Sequence, residues 1–392
     1  MRGERTAGSG GKGDCLVTVR AGDGLSVRVT TKSPRMLEDG VSEVVTETLE
    51  RLGAGDLEVE ISDQGALDYV IAGRVEAAVR EGAEGDLNSI APTVDRTPST
   101  RGRPRRSRLY APGNQPRVLV GIDIHGADCV LLDLEDSVPP AEKAAARILV
   151  KHLLGTIRFP GEVWVRINPL DICGREDVEE VLLGRPHGVC LPKAESATDV
   201  VALSELLSHV ESTCGIEEGT TWIMPILETG HGVLDAEEIA GADSRVAALA
   251  FGAEDYTRDV GARRTWDSLL FARSRIVAAA AAAEVQASDT VYADVDDDAG
   301  LTEECERARA LGFDGKGAIN PRQLPTIHAA FSPTEAELER ARAVVEAARY
   351  AEEQGLGVVA LDGKMIDRPV LDRAVRMIEF ADRLTGRVDQ DA

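Results

Sequence analysis

The feature of this sequence that most constrains its fold is a series of short apolar segments separated by stretches with helical periodicity. Eight such segments occur between residues 109 and 318, each short enough to be a strand buried on both faces. The candidate strands are residues 109–111, 129–134, 163–167, 188–191, 221–226, 247–251, 287–291 and 315–318. Strands that alternate with helices indicate an α/β fold with a parallel sheet, and eight strand–helix units predict a (β/α)8 TIM barrel. A doubly wound open sheet is the alternative, but no G-x-G-x-x-G motif follows the first strand.

Composition divides the rest of the chain. Residues 83–105 are poor in large apolar side chains and rich in Pro, Gly, Ser, Thr and Arg, which is typical of a partly extended linker. The segments before it, at residues 15–20, 25–30, 41–52, 57–62 and 66–80, predict a ββαβα order and a small α+β domain. Helices are also predicted at residues 333–354 and 370–384. The predicted parts are therefore the α+β domain 1–82, the linker 83–105, the barrel 106–330 and a C-terminal helical extension 331–392.

Charge and cysteine content argue against several classes of protein. The formal net charge is −24, and so acidic a surface repels phosphate backbones and anionic membranes, so we expect neither a nucleic-acid nor a membrane partner. The six cysteines are scattered and form no C-x-x-C pair, which argues against a disulfide framework or a zinc site. The first residues lack the apolar core of a secretory signal, and the longest apolar run, residues 276–283, is too short to span a bilayer. These features predict a cytoplasmic protein.

Polar residues follow most of the predicted strands at their carboxyl ends, where the active site of a TIM barrel lies. They are Asp133, Glu135 and Asp136 for the second strand, Arg166 and Asn168 for the third, Lys193 for the fourth, Glu228 for the fifth, Asp255 for the sixth and Lys316 for the eighth. Two carboxylates on neighbouring strand ends, Glu228 and Asp255, suit a hard divalent cation, whose other ligands are then water and substrate. The alternative is that both are solvated loop acids, but the ordered set of strand-end residues favours a site.

Eight short motifs run in order through the C-terminal part of the chain. They are RSRLYAPGN (106–114), DCVLLDLEDSVPPAEKAAAR (128–147), VRIN (165–168), LPKAES (191–196), PILET (225–229), FGAEDY (251–256), GFDGKGAINPRQ (312–323) and GKMIDRP (363–369). Each motif alone is weak, but in this order they resemble the citrate lyase β-subunit family, the aldolase-like lyases that include malyl-CoA and citramalyl-CoA lyases. The resemblance implies a Mg2+-dependent retro-Claisen cleavage of a 2-hydroxy-acid thioester into a 2-oxo acid and an acyl thioester.

The resemblance also implies roles for individual residues. Glu228 and Asp255 become the metal ligands, and Arg166 becomes the group that faces the reacting carbonyl and the developing enolate. Asp367 becomes a catalytic acid or base contributed by a neighbouring subunit, which implies a homo-oligomer, a trimer or a multiple of one. The residues expected to bind substrate or coenzyme A are Arg108, Asp133, Glu135, Asp136, Asn168, Lys193 and Lys316. Asn320 stands where many relatives have His, which bears on fine contacts to substrate or cofactor and not on the reaction class.

The N-terminal part carries a second resemblance. Its segments AGSGGKGDCLVTV (7–19) and DLEVEISDQGALDYVIAGRVEAAV (56–79) are similar to the citrate lyase acyl carrier protein, the γ subunit. In that carrier a serine holds a phosphoribosyl-dephospho-CoA arm. Lys12 aligns with this serine, and Ser9 lies nearby but out of register. We therefore expect this carrier-like domain to have no covalent prosthetic group.

Three functions are compatible with the sequence. The first is a CoA-ester lyase for citryl, citramalyl or malyl thioesters, among which one methyl group is worth only about 1–3 kcal/mol of discrimination. The second is the citryl-carrier lyase subunit of a citrate lyase complex, which would need further citrate-lyase-type subunits as partners. The third is a non-catalytic scaffold. The presence of Glu228, Asp255, Arg166 and Asp367 together argues against the third.

Overall fold

A computed structural model describes residues 4–32, 35–82, 87–90, 92, 94–354, 359–361 and 364–385. Several parts of the predicted organisation lie outside the described residues: 1–3, 83–86, 91, 93, 386–392 and Gly363 of the GKMID motif. In the described part, no helix is both long enough and apolar enough to cross a bilayer.

The N-terminal unit confirms the predicted small α+β fold. Its described elements are β1 (Arg5–Ala7), β2 (Cys15–Ala21), β3 (Ser26–Thr31), α1 (Arg35–Leu52), β4 (Leu57–Asp63) and α2 (Asp68–Gly82). The strands form a sheet in the order β1-β2-β4-β3, with β2 antiparallel and β3 parallel to β4. Because side chains alternate along a strand, every second residue from Cys15 to Val19 in β2 and from Leu57 to Ile61 in β4 is buried in the core of the unit. The sequence does not predict β1, which has only three residues.

The predicted barrel is also confirmed. Its strands are β5 (Ser107–Pro112), β6 (Cys129–Asp133), β7 (Glu162–Arg166), β8 (Gly188–Leu191), β9 (Trp222–Leu227), β10 (Ala248–Phe251), β11 (Gln286–Asp289) and β12 (Gly315–Ala318). Each strand pairs in parallel with the next, and β12 pairs with β5, so that Ala318 lies opposite Leu109 and the barrel closes. Leu109 packs in the layer between strands and helices, whereas its neighbour Tyr110 packs inside the barrel.

Helices surround the barrel. They are α3 (Pro116–Leu119), α4 (Lys143–Thr156), α5 (Arg175–Val181), α6 (Ala197–Cys214), α7 (Gly230–Leu234), α8 (Ala236–Ala240), α9 (Ala253–Val260), α10 (Trp266–Ala282), α11 (Asp298–Leu311) and α12 (Leu324–Phe331). Local sequence sets where several of them begin. Ser196 and Asp199 form a capping box at the start of α6, in which each side chain satisfies a backbone N–H group that the helix leaves unpaired.

The C-terminal extension is a helical hairpin. It consists of α13 (Glu335–Glu353), the short antiparallel strands β13 (Val359–Leu361) and β14 (Lys364–Ile366), and α14 (Arg368–Leu384). Its elements share a small apolar cluster that includes Val344, Ile366 and Ala374. The end of α14 returns to the amino-terminal side of the barrel, where the Arg383 side chain donates a hydrogen bond to the carbonyl oxygen of Gly102 at 3.2 Å.

The N-terminal unit packs on the barrel through α2, which lies against α4. The helices approach closely at Gly73, where an added Cβ atom would lie 3.2 Å from the Cα atom of Leu149. One turn later, the fully buried Glu76 accepts hydrogen bonds from Lys151 and from His152 of the barrel, both at 2.6 Å. This contact joins the N-terminal unit to the barrel through apolar packing and buried charge together.

Candidate active site

A cavity of about 480 Å3 opens at the carboxyl ends of the barrel strands. Among the residues that line it are six of the predicted site residues: Arg108, Asp133, Asp136, Arg166, Glu228 and Asp255. Apolar side chains, including Tyr110, Ile226 and Phe251, form much of the remaining wall. The structure therefore brings together charged residues from the carboxyl ends of four strands, β6, β7, β9 and β10, with Arg108 from the body of β5.

Glu228 and Asp255 occupy neighbouring positions in this cavity. Glu228 follows β9, is only 2% exposed, and accepts a hydrogen bond from the backbone N–H of Lys193 at 2.8 Å. Asp255 lies in the first turn of α9, after β10, and its carboxylate is 2.5 Å from the Arg258 guanidinium. Burial, together with the negative charges of Glu135 and Asp255, raises the pKa of Glu228 to about 8, although the Lys193 N–H and the Arg166 charge act in the opposite direction. The site thus concentrates negative charge that a bound cation would offset.

Gly252 makes room for the Glu228 side chain. A Cβ atom at this position would lie 2.5 Å from Oε2 and 2.6 Å from Cβ of Glu228, well inside van der Waals contact. Its φ of −104° is accessible to any residue, so the need for glycine is one of space and not of backbone conformation. Sequence reasoning missed this residue, although a glycine directly after a barrel strand is a signal for close approach at the active-site face.

Arg166 is fixed by a cluster of acids. Its Nε and Nη2 atoms donate to the two carboxylate oxygens of Asp133 at 2.7 and 2.8 Å, a bidentate geometry that sets the plane of the guanidinium. Its Nη1 atom lies 2.9 Å from Oε2 of Glu135, and its guanidinium lies 5.6 Å from the centre of the Tyr110 ring. The Lys193 ammonium also pairs with Glu135. Glu135 and Lys193 therefore support the cavity wall through Arg166 and Glu228.

Four of the predicted substrate-binding residues do not line the cavity. Glu135 and Lys193 contact the residues Arg166 and Glu228 that line it, whereas Asn168 and Lys316 are held away from it. Asn168 is buried, donates to Leu134 O at 2.9 Å and to Asp177 at 2.6 Å, and accepts from Lys143 at 2.5 Å, so its amide is fully engaged in the fold. The Lys316 ammonium is fully buried between the carboxylates of Asp289 and Glu304, at 2.8 and 2.6 Å. Alternate residues of β12 face opposite sides of the barrel wall. Because Glu304 belongs to α11, the Lys316 side chain is on the side that faces the helices.

Asp367 also lies outside this cavity. It is exposed at the N-cap of α14, where its carboxylate accepts a hydrogen bond from the backbone N–H of Val370 at 3.1 Å. Asn320 caps the short turn after β12 in a similar way, accepting from the Arg322 N–H at 3.0 Å, next to the cavity residue Ile319. Asp367 therefore does not face the cavity of its own chain.

The donor set is compatible with a magnesium ion. In the part of the chain that the structure describes, no three His, Cys, Asp or Glu side chains converge on one point, which argues against a site built entirely from protein ligands. Mg2+ is commonly held by one or two carboxylates, with water and substrate in the remaining positions. Glu228 and Asp255 provide such a pair of oxygen donors beside a cavity large enough for a ligand.

Two protein families match this chain. The family described as HpcH/HpaI aldolase/citrate lyase matches residues 106–321, and the one described as malonate decarboxylase delta subunit (MdcD) matches residues 2–82. The second is a carrier-protein family, so both predicted resemblances are confirmed at the level of family.

Relatives agree with the first match. The citrate lyase subunit beta of Escherichia coli K12 is 43% identical over 72% of this chain and 95% of its own length. The human mitochondrial citramalyl-CoA lyase is 32% identical over 71% of this chain and 86% of its own length. A crystal structure of the protein CitE from Mycobacterium tuberculosis, in complex with magnesium, acetoacetate and coenzyme A, is 34% identical. It covers 72% of this chain and 99% of its own, with a TM-score of 0.59. The chain belongs to the HpcH/HpaI aldolase/citrate lyase family.

Proposed function

We propose that this protein is a Mg2+-dependent carbon–carbon lyase that cleaves the CoA thioester of a small 2-hydroxy acid, giving a 2-oxo acid and an acyl thioester. The observation that carries the proposal is the pairing of two carboxylates, Glu228 and Asp255, with the fixed guanidinium of Arg166 in one cavity. Relatives whose names include citrate lyase subunit beta and citramalyl-CoA lyase support the reaction class. A lyase of this type needs a site for a chelating hydroxy acid and a cation near the developing negative charge.

Each step of the reaction can be assigned to a residue of the chain. The substrate hydroxyl loses its proton, the bond between the carbinol carbon and the thioester α-carbon breaks, and the electron pair passes to the thioester enolate. When bound at Glu228 and Asp255, Mg2+ supplies a Lewis acid that lowers the pKa of the hydroxyl and orients the substrate. Arg166 offsets the negative charge of the enolate, and its acidic partners Asp133 and Glu135 hold it in position. We assign direct substrate contacts to Arg108 and Asp136, which line the cavity.

We propose that Asp367 of a neighbouring subunit exchanges the proton with the reacting groups. A positioned carboxylic acid is suited to proton transfer at the hydroxyl oxygen and the enolate carbon. Asp367 is exposed, and Met365 in the adjoining strand β14 is 62% exposed, so this hairpin offers both a carboxylate and an apolar contact to another molecule. This assignment leads to the proposal of a homo-oligomer, a trimer or a multiple of one.

The N-terminal unit, by our proposal, carries no prosthetic arm. A phosphodiester needs a hydroxyl, and the exposed Lys12 has none. The hydroxyl of Ser9 already donates to Asp14 at 2.8 Å, and Asp14 forms a buried ion pair with Arg74 at 3.0 Å. These contacts fit a structural role for the loop, and the substrate would then arrive as a free CoA ester. The six cysteines, all described and unpaired, suit work in the reducing cytoplasm.

A second function is favoured by one observation, the match of residues 2–82 to a carrier-protein family. In this reading the protein is the citryl-carrier lyase subunit of a larger citrate-lyase-type complex. The two readings differ in the required substrate, since the first enzyme acts alone on a free CoA ester and the second needs a separate carrier and transferase. A non-catalytic scaffold is a weaker reading, because nothing about packing alone accounts for Arg166 and Glu228 facing one cavity.

The test is a screen of the purified protein against citryl-CoA, citramalyl-CoA and malyl-CoA with Mg2+. We expect cleavage of at least one ester, detected as release of the 2-oxo acid, and no cleavage by the Glu228→Gln variant. Gln is close to Glu in size, so loss of activity at unchanged thermal stability would report the lost charge. Wild-type protein that cleaves none of the esters alone, but gains activity with an added citryl carrier, would favour the complex.

A further inference from the structure

Arg108 is a buried cation at the interior of the barrel. It lies on β5, is 1% exposed, and lines the same cavity as Glu228 and Asp255. Its Nη1 atom lies 2.9 Å from the sulfur of Met224, and its Nη2 atom donates to the carbonyl oxygen of Asp289 at 3.2 Å. Neither acceptor carries a negative charge, and thioether sulfur is a weak acceptor. The Nε atom of Arg108 has no hydrogen-bond partner in the structure as described.

Each of the other buried arginines among the described residues forms an ion pair with a carboxylate. Their carboxylate partners are Asp14 for Arg74, Glu162 for Arg105, Glu211 for Arg245 and Asp289 for Arg273, at distances between 2.6 and 3.0 Å. Burying a charge without a counter-charge is strongly unfavourable, which explains this regularity. Arg108 departs from it, and among these arginines it is the one that lines the cavity at the strand ends.

A second polar group nearby also lacks a partner. The hydroxyl of Ser288 is buried and has no hydrogen-bond partner among the described residues. Ser288 lies two residues before Thr290, a cavity residue, and side chains two apart along a strand share a face. Asp289, whose carbonyl accepts from Arg108, lies between them. The interior of β11 and the guanidinium of Arg108 thus offer unused hydrogen-bond donors on the cavity side.

The acid cluster at the mouth of the cavity does not use Arg108. Arg166 already has two carboxylate partners in the protein, Asp133 and Glu135. Glu228 receives its hydrogen bond from Lys193, and Asp255 pairs with Arg258. A substrate bound between the metal ligands and the floor of the cavity therefore meets one cation without a carboxylate partner in the described protein.

We propose that Arg108 receives a substrate carboxylate additional to the one beside the hydroxyl. This inference rests on the proposed function and narrows its substrate class. The carbinol carbon of the substrate would carry a carboxymethyl group in place of hydrogen or methyl, and the product would be a 2-oxo dicarboxylate. A guanidinium pairs with a carboxylate in two parallel hydrogen bonds and leaves a methyl group unrecognised, so the residue selects for the charged substituent.

The experiment compares the wild type with Arg108→Met and Arg108→Lys on citryl-CoA and citramalyl-CoA, which differ in carboxymethyl against methyl. Met keeps much of the length of the side chain and removes the charge. We expect kcat/KM of Arg108→Met to fall at least about 100-fold more on citryl-CoA than on citramalyl-CoA, since a site built for a polar group discriminates strongly. Arg108→Lys keeps a positive charge, so its preferential loss of kcat/KM on citryl-CoA should be smaller than that of Arg108→Met. Equal losses on both esters would overturn the proposal and make Arg108 a structural residue.

A binding measurement separates this inference from the proposed lyase activity. In calorimetric titrations with Mg2+, the wild type should bind oxaloacetate more tightly than pyruvate, and Arg108→Met should lose that preference. If no thioester is cleaved by the wild type but the preference is present and depends on Arg108, the lyase proposal fails and the carboxylate site stands. The inference would be overturned if the wild type bound both acids equally well and instead bound chloride or phosphate in a way that requires Arg108. That result would identify an inorganic anion site.

Discussion

Replacing Gly252 by alanine tests the placement of the Glu228 carboxylate with a single methyl group. The new Cβ atom would lie 2.5 Å from Oε2 of Glu228, whereas ordinary contact begins at 3.4 Å, so the carboxylate must retreat by about 0.9 Å. The backbone at Gly252 has a φ of −104°, which alanine adopts without strain. The new methyl group would also lie 2.6 Å from Cβ of Glu228, so the substitution displaces the whole Glu228 side chain together with the backbone that carries it.

A displacement of this size has a calculable consequence. Misplacing a group of the reaction site by about 1 Å costs on the order of 100-fold in rate, and overpacking a tight site costs about 1–3 kcal/mol of stability. We therefore expect Gly252→Ala to remain folded, to bind Mg2+ more weakly, and to lose about 100-fold in kcat/KM. The loss in activity should exceed what the modest loss in stability explains.

The assay measures 2-oxo acid release, Mg2+ binding by calorimetry, and thermal unfolding for each variant. Gly241→Ala is the matched control, because a Cβ atom there would lie 3.6 Å from its nearest neighbour, Glu237 O, and its φ is −93°. The control should keep wild-type activity and metal affinity. A folded Gly252→Ala protein with at least half the wild-type kcat/KM and unchanged Mg2+ affinity would refute the assignment of Glu228 as a metal ligand.

Four further outcomes are expected. EDTA should abolish cleavage and Mg2+ restore it, and full activity in metal-free buffer would contradict the metal assignment. Mixing inactive Glu228→Ala with inactive Asp367→Ala under subunit exchange should recover partial activity; no recovery despite proven exchange would exclude a shared site. Intact mass of protein from its own host should equal the bare chain, and an added arm mapping to Ser9 would overturn the loss of the carrier role. Burial raises the pKa of Glu76, but His152 and the neighbouring lysine lower it to about 2, so its ion pairs should lose about 3 kcal/mol of stability as pH falls from 4.5 toward 2. In urea titrations the loss over this range should be smaller by about this amount for Glu76→Gln, and equal losses in both proteins would contradict the lowered pKa.

Much of the barrel is predictable because its strands are buried on both faces. Such strands appear as continuous apolar runs, and the bounds predicted for β8 and β12 agree with the structure to the residue. The strand β1 cannot be predicted in the same way, because Arg5–Ala7 has only one buried residue and therefore shows no apolar run. It forms by pairing with β2, and its own three residues give no signal of that pairing.

The site is predictable in part, for a related reason. Residues at the carboxyl ends of parallel strands meet at one edge, so Glu228, Asp255 and Arg166 could be grouped from sequence alone. Which face a side chain takes near a strand end depends on register, and this is why Lys316 was grouped with them although it points toward the helices. The partner of a polar residue depends on tertiary packing, and for that reason the sequence could not reveal that the partners of Arg108 among the described residues are uncharged.

The contact between the N-terminal unit and the barrel bears on how substrate reaches the site. The linker predicted from composition suggests independent domains, but residues of each unit pack in the apolar core of the other. Tyr69 and Val70 of the N-terminal unit pack in the main cluster of the barrel, and Ile148 of the barrel packs in the N-terminal core. Burying a large apolar side chain contributes about 1.5–3 kcal/mol, so separating the units would expose surface worth several kcal/mol. The hydrogen bond from Arg74 to the carbonyl of Asn114, at 3.2 Å, adds a polar tie beside the end of β5. We therefore expect this unit to stay fixed on the barrel during the reaction, which supports the proposal that the substrate enters as a free CoA ester.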